Sequence, residues 1–304
     1  MSTFAGQLKQ IRKDRGLRQK DLAEALHVAQ TTIANYEQGT RFPDENTLHS
    51  LADFFGVSLD LLMGRNEGIA SEESEQETEA SLSAPVHRYL ELVLEHRMEE
   101  VGHLIETESN KRTLNEIYMQ ILQPALREVG RRWETGEVDV SDEHYCSEVT
   151  QSIMSQLMRE IPRLREGCPV FVGFTVSGEQ HKIGIRMVSD FLLLKGWRAI
   201  FLGDNLPTPI VLKELRDHRA DVVGISASMP YHSNAVASLI QTIRTTNLPQ
   251  QVKIVVGGQV FNQESELWRQ VGADGTAPDA EKAVDVILGM VDRGCEPVAE
   301  RHTS

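Results

Sequence analysis

Three cysteines, Cys146, Cys168 and Cys295, are all that the 304-residue chain contains, and no two of them stand in a CxxC spacing. That argues against a zinc site or a disulfide scaffold and fits a reducing cytosol. No apolar run approaches the roughly 18 residues that a membrane helix needs, and no signal peptide opens the chain. The expectation is a cytoplasmic protein with no membrane partner. A positive surplus is missing too: the formal net charge is −14, which excludes a generic polyanion binder. The deficit is uneven. Residues 1–66 hold eight Lys/Arg and eight Asp/Glu, so the whole negative excess lies after them. Any nucleic-acid contact therefore belongs at the N-terminus.

What is present is enough apolar material, 40% of the residues, for more than one core. The stretch "NEGIASEESEQETEASLSAP" is acidic, Ser-rich and poor in large apolar residues, and reads as a solvated linker. Beyond it the chain reads as helical to about residue 165. Leu114, Ile117, Ile121 and Ala125 recur at spacings of three and four, as do Val149, Ile153 and Leu157. Pro124 interrupts the first series and kinks it or starts a new helix. From residue 169 the texture changes. The short β-rich runs "VFVGFT", "RAIFLG", "VVGISA" and "KIVVGG" alternate with helical segments, the pattern of a parallel doubly wound sheet. The expected fold is multidomain: an all-α head at 1–66, a linker at 67–84, a helical bundle at 85–166, an α/β doubly wound, flavodoxin-like domain at 167–298, and a tail at 299–304.

The head carries "LRQKDLAEALHVAQTTIANYEQGTRFPDENTLHSLADFFGVSLDLLMG". Leu17, Leu22, Ala23, Leu26, Val28 and Ile33 take the apolar positions of two short helices, and Gly39 caps the second. His27 stands at the turn between them. This segment resembles the phage-repressor type of helix-turn-helix domain over about residues 4–65. The resemblance implies a buried Arg12–Glu37 ion pair and a second helix, starting near Ala29, that lies in the major groove of an operator in double-stranded DNA. Ala29, Gln30, Thr31 and Asn35 would face the bases. Gln30 and Asn35 bring amides suited to adenine. Gln19, Thr32 and Arg41 would hold phosphates. The bland alternative is a helical interaction module. A head with no net charge implies weak binding per copy, hence a homo-oligomer, tetramer or dimer.

In an open α/β sheet, ligands bind beyond the carboxyl ends of the strands. Glu179 and His181 follow the first strand there. A neutral imidazole is a natural transition-metal ligand, and a carboxylate on its other nitrogen fixes the tautomer. Gly184 allows close approach at the next helix start. One histidine makes no zinc cage, whereas a metal already held by a macrocycle needs only one axial ligand. Glu179-x-His181-x-x-Gly184, Ser226 and Gly257-Gly258 together are similar to the cobalamin-binding motif of methionine synthase, corrinoid methyl carriers and light-sensing repressors. The resemblance implies cobalamin with His181 beneath cobalt and the nucleotide tail in a slot along the sheet. Ser226 would bond the tail's base, and Gly257 and Gly258 would leave it room. Glu179 stands where methionine synthase has Asp, and Ser228, also placed in the slot, stands where its motif has Leu.

Trp133 followed by Glu143-His144 resembles the upper cap of the adenosylcobalamin-dependent, light-sensing repressors of the carotenoid-repressor type. There the Trp packs at the adenosyl group and the Glu-His pair contacts the adenosine. Glu143 alone could equally be a helix-start carboxylate following Ser141. The histidine that follows the Trp in that family is Glu134 here, and the winged DNA-binding head is replaced. The resemblance implies a light-responsive repressor, not an enzyme, with adenosylcobalamin as chromophore. A light-independent cofactor-level or redox sensor shares these motifs, and a corrinoid methyl carrier is the remaining alternative.

Overall fold

The computed structural model describes residues 4–26, 28–43, 45–55, 62–63, 82–159 and 167–291. His27, most of the acidic linker, residues 160–166 and the C-terminal residues from 292 lie outside the described residues. Compactness divides the chain into two units, Met1–Ala84 with Arg131–Glu137, and Pro85–Gly130 with Val138–Ser304.

The first unit holds helices α1 (Phe4–Asp14), α2 (Gln19–Ala25), α3 (Gln30–Gln38) and α4 (Glu45–Phe55). Leu8, Leu22, Ile33, Leu48 and Leu51 are buried between them. Helix α3 ends where Gly39 takes a left-handed conformation, φ 71°, and closes the last turn onto Asn35 and Tyr36. The resemblance's ion pair is present. Arg12 Nε and Nη2 donate to the two oxygens of Glu37 at 2.5 and 3.0 Å, and Gln19 Nε2 donates to Glu37 Oε2 at 2.8 Å. Burial opposes ionisation of Glu37, but the bonds from Arg12 and Gln19 outweigh it and lower its pKa.

In the second unit, helices α5 (Ala84–Leu94), α6 (Met98–Ser109), α7 (Leu114–Ile117), α8 (Gln123–Glu134) and α9 (Val140–Leu157) form the bundle. The last turn of α8, from Arg131, falls in the first unit. Between α7 and α8 the chain makes a π-helical turn, Tyr118–Leu122, with Gln123 N–H bonded to Tyr118 O. This is what Pro124 does to the series. Its ring crowds the carbonyl four residues back and it has no N–H to offer, so the ladder widens by one residue and continues without a break.

The sheet follows: β1 (Val170–Thr175), α10 (Ile183–Leu194), β2 (Arg198–Gly203), α11 (Thr208–Asp217), β3 (Val222–Ser226), a 3₁₀ turn (Pro230–His232), α12 (Ser233–Thr245), β4 (Lys253–Gly257), α13 (Gln259–Gln263), α14 (Leu267–Gln270), β5 (Gly275–Thr276) and α15 (Ala280–Leu288). All strands are parallel in the order β2-β1-β3-β4-β5, a doubly wound, flavodoxin-like sheet. Central strands β1 and β3 are buried along their whole length, which is why they read as unbroken apolar runs. Val172, Phe174, Val223, Ile225, Ile254 and Val256 belong to one core with Val211 and Leu215 of α11 and Val236, Ile240 and Ile243 of α12. Strand β5, two residues long, had no separate sequence signal. Cys168, just before β1, is disulfide-bonded, a feature that the cysteine spacing did not announce, and Cys146 is a buried free thiol in α9. Among the described residues no helix is long and apolar enough to cross a membrane.

Two consequences are measurable. Glu37→Ala strands the buried Arg12 guanidinium and is expected to cost about 3 kcal/mol in the head. The double change Arg12→Met with Glu37→Leu should recover much of that, since both buried charges go. Thermal melts followed by circular dichroism decide it, and full-strength folding of Glu37→Ala would refute the pair's role. Gly258 has φ 101°, and a Cβ there would sit 2.2 Å from Ala227 O, whereas a Cβ on Gly257 meets nothing within 4 Å. Gly258→Ala should therefore destabilise by about 3 kcal/mol and Gly257→Ala by about 1 kcal/mol or less. Urea titrations of the two variants should separate them, and equal midpoints would contradict this geometry.

Candidate cofactor site at the carboxyl edge of the sheet

The sheet order reverses between β1 and β3, the switch point at which ligands bind in open α/β sheets. Their ends are level: Thr175 of β1 pairs with Ser226 of β3, and Ser226 with Gly257 of β4. The loop after β1 turns at Gly178, φ 86°. It is closed by Thr175 Oγ1 donating to Glu179 O at 2.7 Å and by Glu179 N–H on Val176 O at 3.0 Å. Lys182 Nζ reaches Asp204 Oδ2, 2.8 Å away beyond β2.

Glu179 joins the loops after β1 and β3 and is 1% exposed. Its Oε1 accepts from His181 N–H at 2.9 Å and lies 2.5 Å from His181 Nδ1. Its Oε2 accepts from the Ser228 N–H at 2.5 Å and lies 3.2 Å from His232 Nδ1. Burial works against ionisation of Glu179. The hydrogen bonds of His181, His232 and Ser228 outweigh it and hold the carboxyl well below its ordinary range. An ionised carboxylate can only accept, so His181 Nδ1 carries the proton and Nε2 carries the lone pair, the tautomer that a metal ligand needs. The His181 side chain is 55% exposed while the Glu179 side chain is 0% exposed, so the imidazole faces outward from a buried anchor.

The other expected residues take different roles. Gly184 sits in the first turn of α10 and a Cβ there meets nothing within 4 Å, so the space before the helix is open. Gly257 is open in the same way, whereas a Cβ on Gly258 would collide with the backbone of Ala227. Ser226 is 6% exposed at the end of β3. Ser228 contributes its backbone N–H to Glu179. His232 was not among the residues expected from the sequence. It is 5% exposed and completes the carboxylate's set of donors from the 3₁₀ turn after β3. A histidine in the loop facing Glu179 across the switch point was the signal available.

The one-imidazole donor set with its tautomer fixed, the outward ring and the open positions at Gly184 and Gly257 fit a metal enclosed by a macrocycle. His181 would be the ligand, and Glu179, His232 and Ser228 would hold it.

The expected cap falls in two units. Trp133 lies half-buried in the last turn of α8, in the first unit, with Glu134 exposed beside it. Glu143 and His144 lie in the first turn of α9, in the second. Glu143 Oε2 is 2.9 Å from His144 Nδ1, and Glu143 Oε1 accepts from Ser147 Oγ at 3.0 Å. The helix start is capped by Asp139, which accepts from Ser141 and Asp142 N–H at 2.8 and 3.0 Å, so Glu143 is not the capping carboxylate.

In the head, Ala29, Gln30, Thr31, Asn35 and Arg41 are exposed and Thr32 is half-buried. Gln30, Thr31 and Asn35 are carried by α3 and Ala29 is its N-cap. Gln19, expected at a phosphate, directs its amide to Glu37.

Two B12 binding domain models match the chain, one over residues 152–287 and one over 86–158, and a helix-turn-helix model matches residues 8–62. The chain is 29% identical over 173 residues to a dimethylamine corrinoid protein of Methanosarcina barkeri, covering 56% of this chain and 80% of that protein. It is 26% identical over 207 residues to dimethylamine corrinoid protein 3 of Methanosarcina acetivorans, covering 67% and 96%. The monomethylamine corrinoid protein of Methanosarcina barkeri has the same fold over 67% of this chain and 97% of its own, with TM-score 0.58 and 20% identity. The chain thus joins a helix-turn-helix domain to a helical bundle and a flavodoxin-like B12-binding domain, and is a cobalamin-binding protein with a DNA-binding type of head.

Proposed function

We propose that the chain is a cobalamin-dependent transcriptional regulator rather than an enzyme, a repressor that uses adenosylcobalamin to couple light to oligomeric state and operator binding. The observation that carries the cofactor half is the Glu179–His181 pair at the switch point, with Nδ1 occupied by the buried carboxylate. The exposed face of α3, with Gln30, Thr31 and Asn35, supports the DNA half. Bound adenosylcobalamin supplies a cobalt–carbon bond that light cleaves. His181 would hold the cobalt, Glu179 would keep its tautomer, and Trp133, Glu143 and His144 would contact the adenosyl group. Without adenosine those contacts would be lost, and the bundle's preferred conformation would change with them. Glu134, in the position of the light-sensing family's second histidine, favours a second reading, a sensor of cofactor level that ignores light. The relatives named as methylamine corrinoid proteins suggest a methyl carrier, but a helix-turn-helix domain serves no purpose in that role.

Two experiments test this. The purified protein should take up adenosylcobalamin with the absorbance of a form whose benzimidazole has left cobalt. His181→Ala should bind far more weakly or leave benzimidazole on cobalt, and Glu179→Ala should fall between. Unchanged spectrum and affinity in His181→Ala would remove the site. Illumination of the loaded protein should shift its gel-filtration volume and weaken operator binding by about tenfold or more, a coupling of about 1.4 kcal/mol. Identical elution and affinity after proven loss of adenosine would leave the cofactor-level reading in place of light.

A further inference from the structure

Strand β2 ends irregularly, and its end meets the loop that carries His181. The pairing with β1 runs from Val170 against Arg198 to Gly173 against Phe201, but Phe174 lies opposite Gly203, so Leu202 is an extra residue in a bulge. Gly203 then takes φ 81° and Asn205 takes φ 53°. A left-handed residue with a side chain is uncommon, and asparagine is among the few that tolerate it well. The bulge and the two left-handed residues re-aim the chain, so that Asp204 and Asn205 both reach the loop after β1. Asp204 Oδ2 accepts from Lys182 Nζ at 2.8 Å, and Asn205 Oδ1 accepts from Ser177 Oγ at 3.2 Å. In the chain these two contacts stand on either side of residues 178–181. We propose that the turn of Gly203, Asp204 and Asn205 is a second clamp on this loop, and that Asp204, acting through Lys182, is a positioning residue for the His181 imidazole.

Glu179 fixes the tautomer of His181 by holding Nδ1, and it ties the loop to the β3 side of the switch point. The direction of the ring needs more. The His181 side chain is 55% exposed, so packing does little to hold it, and its aim depends on the backbone on both sides. Lys182, the next residue, is the N-cap of α10 and makes no side-chain cap bond to that helix. Its side chain goes to Asp204 instead, which fixes the point where the chain leaves His181 and enters α10. The loop is thus held from β3 through Glu179 and from β2 through Asp204. The Lys182 and Asp204 side chains are 32% and 34% exposed. A pair so open to water adds little to overall stability, so its effect belongs to the site and not to the melting temperature. Partners that orient a metal ligand typically set about 10- to 100-fold in affinity. The use of the clamp rests on the cobalamin reading, whereas its geometry does not.

Full-length protein carrying Asp204→Asn, Lys182→Met or both tests this, by adenosylcobalamin titration and by the exchange of the His181 Nδ1 proton with water, read by NMR without cofactor. Each single change should weaken binding about tenfold and raise the share of bound cofactor that keeps benzimidazole on cobalt. The double change should be no weaker than either single one, because the two side chains act as a pair. Lys182→Arg, which keeps the ion pair, should bind as the wild type does. All four proteins should melt within about 3 °C of the wild type. In cofactor-free Asp204→Asn the His181 Nδ1 proton should exchange faster. Wild-type affinity, spectrum and exchange in Asp204→Asn would overturn the proposal. So would losses that simply add in the double variant, or a fall in melting temperature that accounts for the lost affinity. If the wild type takes up no cobalamin, the cofactor reading falls, and proton exchange at His181 alone decides whether the clamp exists.

Discussion

A buried carboxylate with four donors around it is the constraint on which the site depends. Taking the charge of Glu179 out of water costs several kcal/mol, which only well-placed donors offset. Two donors come from the loop after β1 and two from the loop after β3. Neither loop can satisfy the carboxylate alone, so each holds the other in place. This is possible only because β1 and β3 are neighbours with their last residues paired, Thr175 against Ser226. The strand order thus fixes the loops, the loops fix Glu179, and Glu179 fixes which nitrogen of His181 carries a lone pair.

The same geometry joins the site to the bundle. Helix α10 starts directly after His181 and Lys182, and within two turns presents Arg186 and Asp190 to α9 and to Tyr118. The loop that carries His181 is thus joined to α9 through one helix. Glu143 lies eight residues before Gln151 on α9, roughly 12 Å along its axis. The link is contiguous, and paired variants along it measure the coupling that it carries.

The sequence made periodic and local features legible. The four longer strands stand out because buried parallel strands are continuous apolar runs. The head stands out because Leu22, Ala23, Ile33 and Gly39 each meet a local steric demand. What it hid depends on distant partners. The role of His232 comes from Glu179, 53 residues away. Asp190 and Tyr118 read as one polar residue in an apolar helix and one aromatic in another, and only the fold brings them together. The steric demand at Gly258 was hidden because its collision partner, Ala227 O, follows the neighbouring strand β3. Pro124 announced an irregularity but not its form, since a kink, a new helix and a π turn all answer the same missing N–H.

The proposed need for an oligomer has a physical basis in the head. Eight basic residues precede residue 67, yet several serve the fold. Arg12 is buried against Glu37, Arg15 donates to the Phe55 carbonyl at 2.7 Å, and Arg18 pairs with Asp21 at 2.8 Å. Gln19 is likewise directed to Glu37. Phosphate contacts supply most of the sequence-independent affinity for DNA, and each lost contact also lowers the salt dependence. On the proposed reading, a domain with some of its cations tied up in its own contacts would keep the amides of Gln30 and Asn35 for the bases but bind weakly as one copy. Joining copies restores affinity through effective concentration, without any new contact to DNA. On that reading, an assembly state set by the bundle and its ligand would decide operator occupancy, because a single head would be too weak to hold the site alone.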